Sequence, residues 1–178
     1  MQNVYLVGFM ATGKTAAGQE LARQMKWRFV DLDALIELKE GRRITDIFAR
    51  DGEPYFRRLE KKVLKEVSAE KRFVVACGGG IVLDKENIRL MRDTGVIICL
   101  TASPGVILER VFKDTHRPLL NVSDPQKQIE LLLKLRAPFY ALADKSIDTS
   151  GLSVKEVVQQ VFKFISKTKN KKSAKSSR

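Results

Sequence analysis

The chain has 178 residues, 44% of them hydrophobic and 30% charged, and carries a formal net charge of +12. This length predicts one domain with a hydrophobic core of ordinary size. No apolar run approaches the length of a membrane span, and the first apolar segment lacks a basic lead-in, so we expect a cytoplasmic protein without a signal peptide.

Residues 8–15 read GFMATGKT and match the phosphate-binding loop pattern G-x-x-x-x-G-K-T. An apolar run at residues 4–7, suited to a buried strand, comes before them, and apolar residues at helical spacing follow. Glycines let backbone N–H groups approach phosphate oxygens, and the helix presents its positive N-terminal end to the same anion. This context favours a nucleoside triphosphate site over a chance match, with Lys14 on the β- and γ-phosphates and Thr15 on Mg²⁺.

Short apolar runs alternate with helical patterns along the rest of the chain, which favours βαβ units around a parallel sheet. The further predicted strands are residues 27–30, 73–77, 96–100 and 146–148. The further predicted helices cover residues 33–39, 44–48, 54–67, 104–111 and a segment after Ser153, which forms a capping-box spacing with Glu156. Ligands bind at the carboxyl ends of parallel strands, so the residues after each strand are the candidates for function.

Asp31 and Asp33 stand at the end of the second predicted strand. If the chain is still extended there, the two carboxylates share a side. One could then reach the Mg²⁺ shell while the other meets an acceptor hydroxyl. The alternative is that Asp31 or Asp33 caps the following helix.

Arg57 and Glu60 lie three residues apart on a predicted helix, so they share a face and can pair. A paired arginine is a good bidentate ligand for a carboxylate, although a surface salt bridge is the alternative. Gly78, Gly79 and Gly80 follow a predicted buried strand. Three consecutive glycines suggest close approach of a ligand to backbone N–H groups, or else a flexible turn.

Neither a helix nor a strand pattern is recognisable between residues 112 and 126, where the chain is polar and basic. Such a loop in a phosphoryl-transfer enzyme can act as a lid over the nucleotide. Arg110 and Arg117, before and within it, could neutralise phosphate charge. Arg136 opens the run RAPFY, on a helix that Pro138 should bend or end. Each arginine could instead be a solvated surface charge.

From Lys167 onward the chain reads KTKNKKSAKSSR, which contains six basic residues, no acidic residue and no period. It holds half of the net charge, and we predict a disordered tail over residues 167–178. The tail raises a nucleic-acid hypothesis, whereas the remaining charge suits an enzyme with anionic substrates. Cys77 and Cys99 favour buried reduced thiols over a disulfide, and the single histidine, His116, gives no basis for a zinc site.

The motifs GFMATGKT, DLDALIE, GEPYFRRLE, CGGG, RPLL and RAPFY occur in this order, and with this set the chain resembles the shikimate kinases, a nucleoside-monophosphate-kinase-like branch of the phosphate-loop proteins. The resemblance covers about residues 4–149. It implies ATP-dependent phosphorylation of the 3-hydroxyl of shikimate, in the chorismate route to aromatic amino acids. The implied fold is a three-layer α/β/α domain over residues 1–166, with a five-stranded parallel sheet of order 2-3-1-4-5. A shikimate-binding region at about 33–60 and a lid at about 112–125 would belong to it.

The resemblance also implies roles for matching residues. Catalysis would depend on Lys14, Asp33 as base or orienter, and Arg117. Mg²⁺ would be held by Thr15 and, in its outer shell, Asp31. The ATP site would comprise Gly8, Met10, Ala11, Thr12, Gly13, Lys14, Thr15, Ala16, Arg117 and, against the adenine, Arg110. The shikimate site would comprise Asp33, Arg57, Gly78, Gly79, Gly80 and Arg136, with Glu60 holding Arg57.

Ala11 departs from the family pattern, which often has glycine at this position. It fits the general motif if its φ is negative, and we then expect a modest effect on loop flexibility. We expect a monomer that binds ATP and shikimate, with no membrane and no specific nucleic-acid partner. Two alternatives stay open: a related small-molecule kinase, such as a gluconate-type kinase, and a nucleic-acid-binding protein that uses the kinase fold as a scaffold.

Overall fold

The structure, a computed structural model, describes residues 3–113 and 124–175, the residues from 169 onward by their backbone alone. Its centre is a five-stranded sheet in the order β2-β3-β1-β4-β5, and every neighbouring pair is parallel. The strands are β1 Asn3–Val7, β2 Arg28–Asp31, β3 Phe73–Ala76, β4 Gly95–Thr101 and β5 Lys145–Asp148. The predicted fold class and strand order are therefore confirmed, with strand ends shifted by one residue in most cases.

Helices connect the strands. They are α1 Lys14–Met25, α2 Leu32–Glu40, α3 Ile44–Ser68, α4 Lys85–Thr94, α5 Pro104–Phe112, α6 Pro125–Tyr140 and α7 Val154–Lys175, with a short 3₁₀ turn at Ile81–Leu83. Helix α3 joins two predicted helical stretches, and Gly52 interrupts it with a non-helical φ of 77° and ψ of 173°. Helix α4 was not predicted, because its polar, charged sequence hides an apolar stripe of Ile88 and Met91.

The two faces of the sheet bury alternate residues of the strands, as the period of two in a strand requires. Val4 and Leu6 of β1 pack in the cluster that includes residues of α1 and α7. Tyr5 and Val7 face the opposite cluster, which includes residues of α2 to α6. Strands β1 and β4 are buried on both sides, so they read as continuous apolar runs. Cys77 and Cys99 are buried free thiols, as predicted.

Helix α7 begins with the predicted capping box: Ser153 Oγ accepts from Glu156 N at 3.3 Å, and Ser153 N donates to Glu156 Oε2 at 2.8 Å. Among the residues up to 168, whose side chains are described, the last buried one is Ile165. The helix nevertheless continues to Lys175, whereas the sequence predicted a disordered tail from Lys167. Lysine is a good helix former, so a helix already nucleated by its packed part can extend into this segment. Within the described ranges, no helix is long and apolar enough to cross a membrane.

Candidate active site

The phosphate loop connects β1 to α1, and both of its ends favour glycine. Gly8 has a φ of 135°, and a Cβ built on it would lie 2.1 Å from the carbonyl oxygen of Leu100. Gly13 has a φ of 88° at the N-cap of α1. Left-handed backbone is cheap only for glycine. These two glycines therefore let the loop turn tightly against β4 and enter the helix, whose first turn contains Lys14, Thr15 and the exposed Ala16.

Ala11 adopts a φ of 58°. The prediction that Ala11 fits the motif with a negative φ is therefore wrong. A left-handed conformation at a residue with a Cβ costs on the order of 1 kcal/mol. A left-handed backbone at this position is one that glycine adopts without that cost, which explains why glycine suits it. The loop has this conformation with alanine at position 11, so other contacts must offset the backbone strain of Ala11.

Phe9 makes contacts within the loop through its backbone and beyond the loop through its ring. Its carbonyl oxygen accepts hydrogen bonds from Thr12 Oγ1 and Lys14 Nζ, both at 2.8 Å. Its buried ring lies under Arg136, whose Cζ is 5.5 Å from the ring centroid. The phosphate loop is therefore in contact with α6, a helix more than a hundred residues further along the chain.

Asp31 performs two tasks with two oxygens. Its Oδ1 caps α2 by accepting from the backbone N–H groups of Asp33, at 3.1 Å, and Ala34, at 3.4 Å. Its Oδ2 accepts from Thr15 Oγ1 at 2.8 Å. The capping alternative is therefore confirmed for Asp31, and an extended chain through Asp33 is wrong, because Leu32 and Asp33 already belong to the helix. The two carboxylates enter the site from the last residue of β2 and the first turn of α2.

Arg57 is held from two sides by carboxylates. Its Nη1 donates to Glu60 Oε2 at 2.8 Å, which confirms the predicted pair, and its Nε and Nη2 donate to Glu53 Oε1 at 3.1 and 2.9 Å. A Cβ on Gly80 would lie 2.3 Å from Arg57 Nη2. The guanidinium therefore lies directly against the glycine backbone, a contact possible only because position 80 has no side chain.

Glu60 is the buried acid of the site. Burial raises its pKa to about 7, although the charge and hydrogen bond of Arg57 oppose the shift. Its Oε1 accepts no hydrogen bond from the described residues. The same oxygen and Asp33 Oδ1 would lie 2.7 and 2.8 Å from a Cβ on Gly78. Gly78 is therefore the point where the Asp33 and Glu60 carboxyl groups approach each other.

Gly79 joins the two halves of the site. A Cβ on it would lie 3.5 Å from Arg136 Nη1, 3.5 Å from the carbonyl oxygen of Gly8 and 3.8 Å from the backbone nitrogen of Met10. Tyr140 Oη donates to the Gly79 carbonyl oxygen at 2.8 Å. The end of β3 is thus placed between the phosphate loop and the arginine of α6. This is where a parallel sheet of this kind binds its ligands.

Arg110 contacts the phosphate loop and the end of β5. Its Nη1 donates to the carbonyl oxygen of Ala11 at 3.2 Å and to Thr149 Oγ1 at 3.0 Å, while Nη2 donates to the carbonyl oxygen of Thr149 at 2.8 Å. Its predicted position against adenine stays a prediction. Arg117, with most of the predicted lid at residues 112–125, lies outside the described residues.

Sequence reasoning missed four residues of this arrangement: Phe9, Glu53, Tyr140 and Thr149. Glu53 could have been found, since it precedes Arg57 by four residues on a helix, a spacing that favours an ion pair. Thr149 directly follows the fifth strand, which is also a recognisable position. No signal in the sequence marks the contact of Phe9 with Arg136 or of Tyr140 with Gly79, because both depend on how α6 packs.

The sheet is parallel with the order 2-3-1-4-5, and a phosphate loop follows its central strand. Arg110 and Arg136 contact this loop. Together these features define a P-loop kinase. The shikimate kinase family model matches residues 10–166. A shikimate kinase from Thermoanaerobacter pseudethanolicus is 46% identical over 163 residues, 92% of this chain and 95% of the relative. One from Thermodesulfovibrio yellowstonii is 44% identical over 172 residues, 97% of this chain and 99% of the relative. The chain belongs to the shikimate kinase family.

Solved structures agree with this placement. The shikimate kinase from Acinetobacter baumannii, solved in complex with shikimate, superposes with a TM-score of 0.90 at 35% identity and covers 95% of each chain. A gluconokinase from Sinorhizobium meliloti matches with a TM-score of 0.55 at 16% identity, over 89% of this chain and 87% of its own. At that identity the second match shows the shared fold alone.

Proposed function

We propose that the protein transfers the γ-phosphoryl group of ATP to the 3-hydroxyl of shikimate. The observation that carries the proposal is the placement of two guanidinium groups, of Arg57 and Arg136, against consecutive glycines at the end of β3. Gly79 also abuts the phosphate loop through Gly8. Guanidinium groups bind carboxylates in bidentate fashion, so this is a site for a small acid held next to a phosphoryl donor.

The donor side of the site is built from the loop and α1. Backbone N–H groups of residues 8–16 and the N-terminus of α1 would bind the phosphates, and Lys14 would neutralise charge between the β- and γ-phosphates. Thr15 Oγ1 and Asp31 Oδ2 lie 2.8 Å apart. Two hard oxygen groups fit Mg²⁺, which takes few protein ligands and keeps waters and phosphates in its shell. The ion would stabilise negative charge on the transferring group.

The acceptor side is built from α2, α3 and the end of β3. Asp33, in the first turn of α2, would orient or deprotonate the acceptor hydroxyl. Arg57 and Arg136 would bind the carboxylate, and the N–H groups of Gly79 and Gly80 would bind the rest of the acid. Arg117 would contact the transferring phosphoryl group from the lid, and Arg110 the adenine, as the resemblance implies. A cytoplasmic monomer remains our expectation.

The direct test is the release of ADP from MgATP with and without shikimate. We expect shikimate to stimulate ADP release by orders of magnitude, with shikimate 3-phosphate as the product identified by mass spectrometry. Gluconate and other polyol acids serve as the comparison, because a gluconate-type kinase is the alternative. Turnover of gluconate without turnover of shikimate would exclude the proposal.

The role of Arg57 has a matched control in its neighbour. Arg57→Ala removes the paired guanidinium, whereas Arg58→Ala removes an exposed one that lies over the Tyr55 ring. We expect Arg57→Ala to raise the KM for shikimate at least tenfold with nucleotide affinity unchanged, as expected for a lost charge-assisted pair. Arg58→Ala should leave both constants near those of the parent. A loss of nucleotide affinity alone would contradict the carboxylate role.

A further inference from the structure

We infer that Arg110 and Thr149 are positioning residues that hold Ala11 in its left-handed conformation and thereby set the affinity of the phosphate loop for nucleotide. The inference rests on the proposed binding of nucleotide at this loop. It does not depend on which acceptor is phosphorylated. It follows from three features of the described structure: the φ of Ala11, the contacts of Arg110 and the burial of Thr149.

Ala11 requires an external restraint. Its φ of 58° lies in the region that residues with a Cβ disfavour, so the isolated loop would relax toward negative φ. Such a relaxation rotates the adjoining peptide groups. Because a phosphate loop binds anions through backbone N–H groups aimed at one point, rotated peptides bind them less well.

Arg110 supplies part of that restraint. It reaches from α5 across to the loop, and its Nη1 donates to the carbonyl oxygen of Ala11 at 3.2 Å. The same guanidinium is itself fixed by Thr149, through the hydroxyl at 3.0 Å and the backbone carbonyl at 2.8 Å. The peptide that follows Ala11 is thus tied to a group whose own orientation is set by two further hydrogen bonds.

Thr149 supplies the anchor. It is only 3% exposed, and its backbone N–H continues the ladder from β5 by donating to the Thr101 carbonyl oxygen at 2.8 Å. Its hydroxyl accepts from Arg110 and lies 3.2 Å from the Thr12 carbonyl oxygen and 3.0 Å from that of Thr101, either of which can accept its proton. Thr149 therefore links the Ala11 peptide, through Arg110, to the edge of the sheet, and its hydroxyl lies within hydrogen-bond distance of the next loop peptide, that of Thr12.

The experiment uses Thr149→Val in the full chain, because valine keeps the volume and removes only the hydroxyl. The dissociation constant of MgADP is measured by calorimetric titration. We expect a weakening of roughly tenfold, comparable with the loss of one or two buried hydrogen bonds. Thr149→Ser retains the hydroxyl and should bind MgADP as the parent does. Arg110 is left unchanged, because its predicted contact with adenine would confuse the result.

Ala11→Gly decides whether the effect passes through the backbone of residue 11. Glycine adopts positive φ without steric cost, so a loop with glycine at this position needs less restraint. We expect Thr149→Val to weaken MgADP binding about tenfold in the parent but less than about threefold in the Ala11→Gly background. Equal losses in the two backgrounds would overturn the inference, and so would unchanged affinity in Thr149→Val alone.

Thr101→Val is the matched control. Thr101 lies at the carboxyl end of the adjacent strand β4, and its hydroxyl contacts the carbonyl oxygen of Ile147 in β5 at 3.4 Å. We expect MgADP affinity within about twofold of the parent in this variant. A tenfold loss there would mean that any lost hydroxyl at the sheet edge disturbs the loop, which would also overturn the inference. Because MgADP binding needs no acceptor, a failure of the shikimate assay leaves this test intact.

Discussion

Arg57 and Glu60 form an ion pair in which the acid is almost completely removed from solvent. Arg57 Nη1 lies 2.8 Å from Glu60 Oε2, and the side chains are 29% and 1% exposed. Burial favours the neutral form of Glu60 and raises its pKa to about 7, whereas Arg57 favours the charged form. The pair therefore combines an orienting contact with a carboxyl group that titrates near neutral pH.

Glu60 should make the stability of the protein depend on pH in a defined window. In the unfolded chain this carboxyl ionises near pH 4.5, and in the folded state near pH 7. The folded state therefore binds the extra proton between these values, and the stability that this contributes is present below about pH 4.5 and lost as pH rises through about 7. Relative to Glu60→Gln, which cannot ionise, the parent should lose on the order of 3 kcal/mol across the window. Urea denaturation of both proteins at several pH values measures this difference in the free energy of unfolding.

Glu20→Gln is the control for this experiment. Glu20 lies on the surface of α1, and its hydrogen bond to Arg23 lowers its pKa to about 2. A carboxylate with a lowered pKa contributes stability that is lost only as pH falls, so the difference between parent and Glu20→Gln should be flat from about pH 5 to 7.5. If the difference between parent and Glu60→Gln were equally flat, Glu60 would be ionised in the folded protein throughout this range.

Gly80→Ala should damage acceptor binding selectively. The added Cβ would meet Arg57 Nη2 at 2.3 Å, so the guanidinium must move from its place against the backbone. We expect a rise in the KM for shikimate of about tenfold or more, with nucleotide affinity within about twofold of the parent. Gly105→Ala is the matched control, since a Cβ there meets nothing within 4 Å and lies in the first turn of α5. Steady-state kinetics with each substrate varied separately distinguishes the outcomes.

Asp31 allows the capping and metal-binding roles to be separated. Asp31→Asn keeps the oxygen that caps α2 but removes the negative charge beside Thr15. We expect it to raise the Mg²⁺ concentration for half-maximal activity, with little change in stability. Asp31→Ala should show the same metal effect and lose about 1 kcal/mol of unfolding free energy from the missing cap. An unchanged Mg²⁺ requirement in both variants would leave Asp31 as a helix cap alone.

Lys14→Ala should abolish most of the turnover. Its Nζ donates to the carbonyl oxygen of Phe9 within the loop at 2.8 Å, and from there it can move to a bound phosphate. Removing a preorganised charge from a phosphoryl-transfer site costs roughly 100-fold or more in kcat. The exposed Lys26, after the end of α1, provides the control, since Lys26→Ala should leave kcat unchanged. A rate near that of the parent in Lys14→Ala would exclude the loop assignment.

Much of the fold was predictable because the central strands β1, β3 and β4 are largely buried and read as apolar runs. The outer strands β2 and β5 are more exposed and gave shorter, weaker signals. The pair of Arg57 and Glu60 could likewise be predicted, because residues three apart on a helix lie on the same face. Helix α4 escaped prediction because only one stripe of it is buried. Asp33 was misplaced because Asp31 already caps α2, so the chain turns helical one residue earlier than expected.

The sequence by itself determined the phosphate loop, the sheet and the residue types of the acceptor site, because each is encoded over a few residues by spacing and period. Only the tertiary structure decided that Arg136 lies over the Phe9 ring and that Gly80 lies against Arg57. It also decided that Ala11 is left-handed, with its carbonyl oxygen bound by Arg110, which is in turn bound to Thr149. These relations join residues far apart in the chain. They follow from how helices pack on the sheet and from the backbone angles of single residues, which no local pattern specifies.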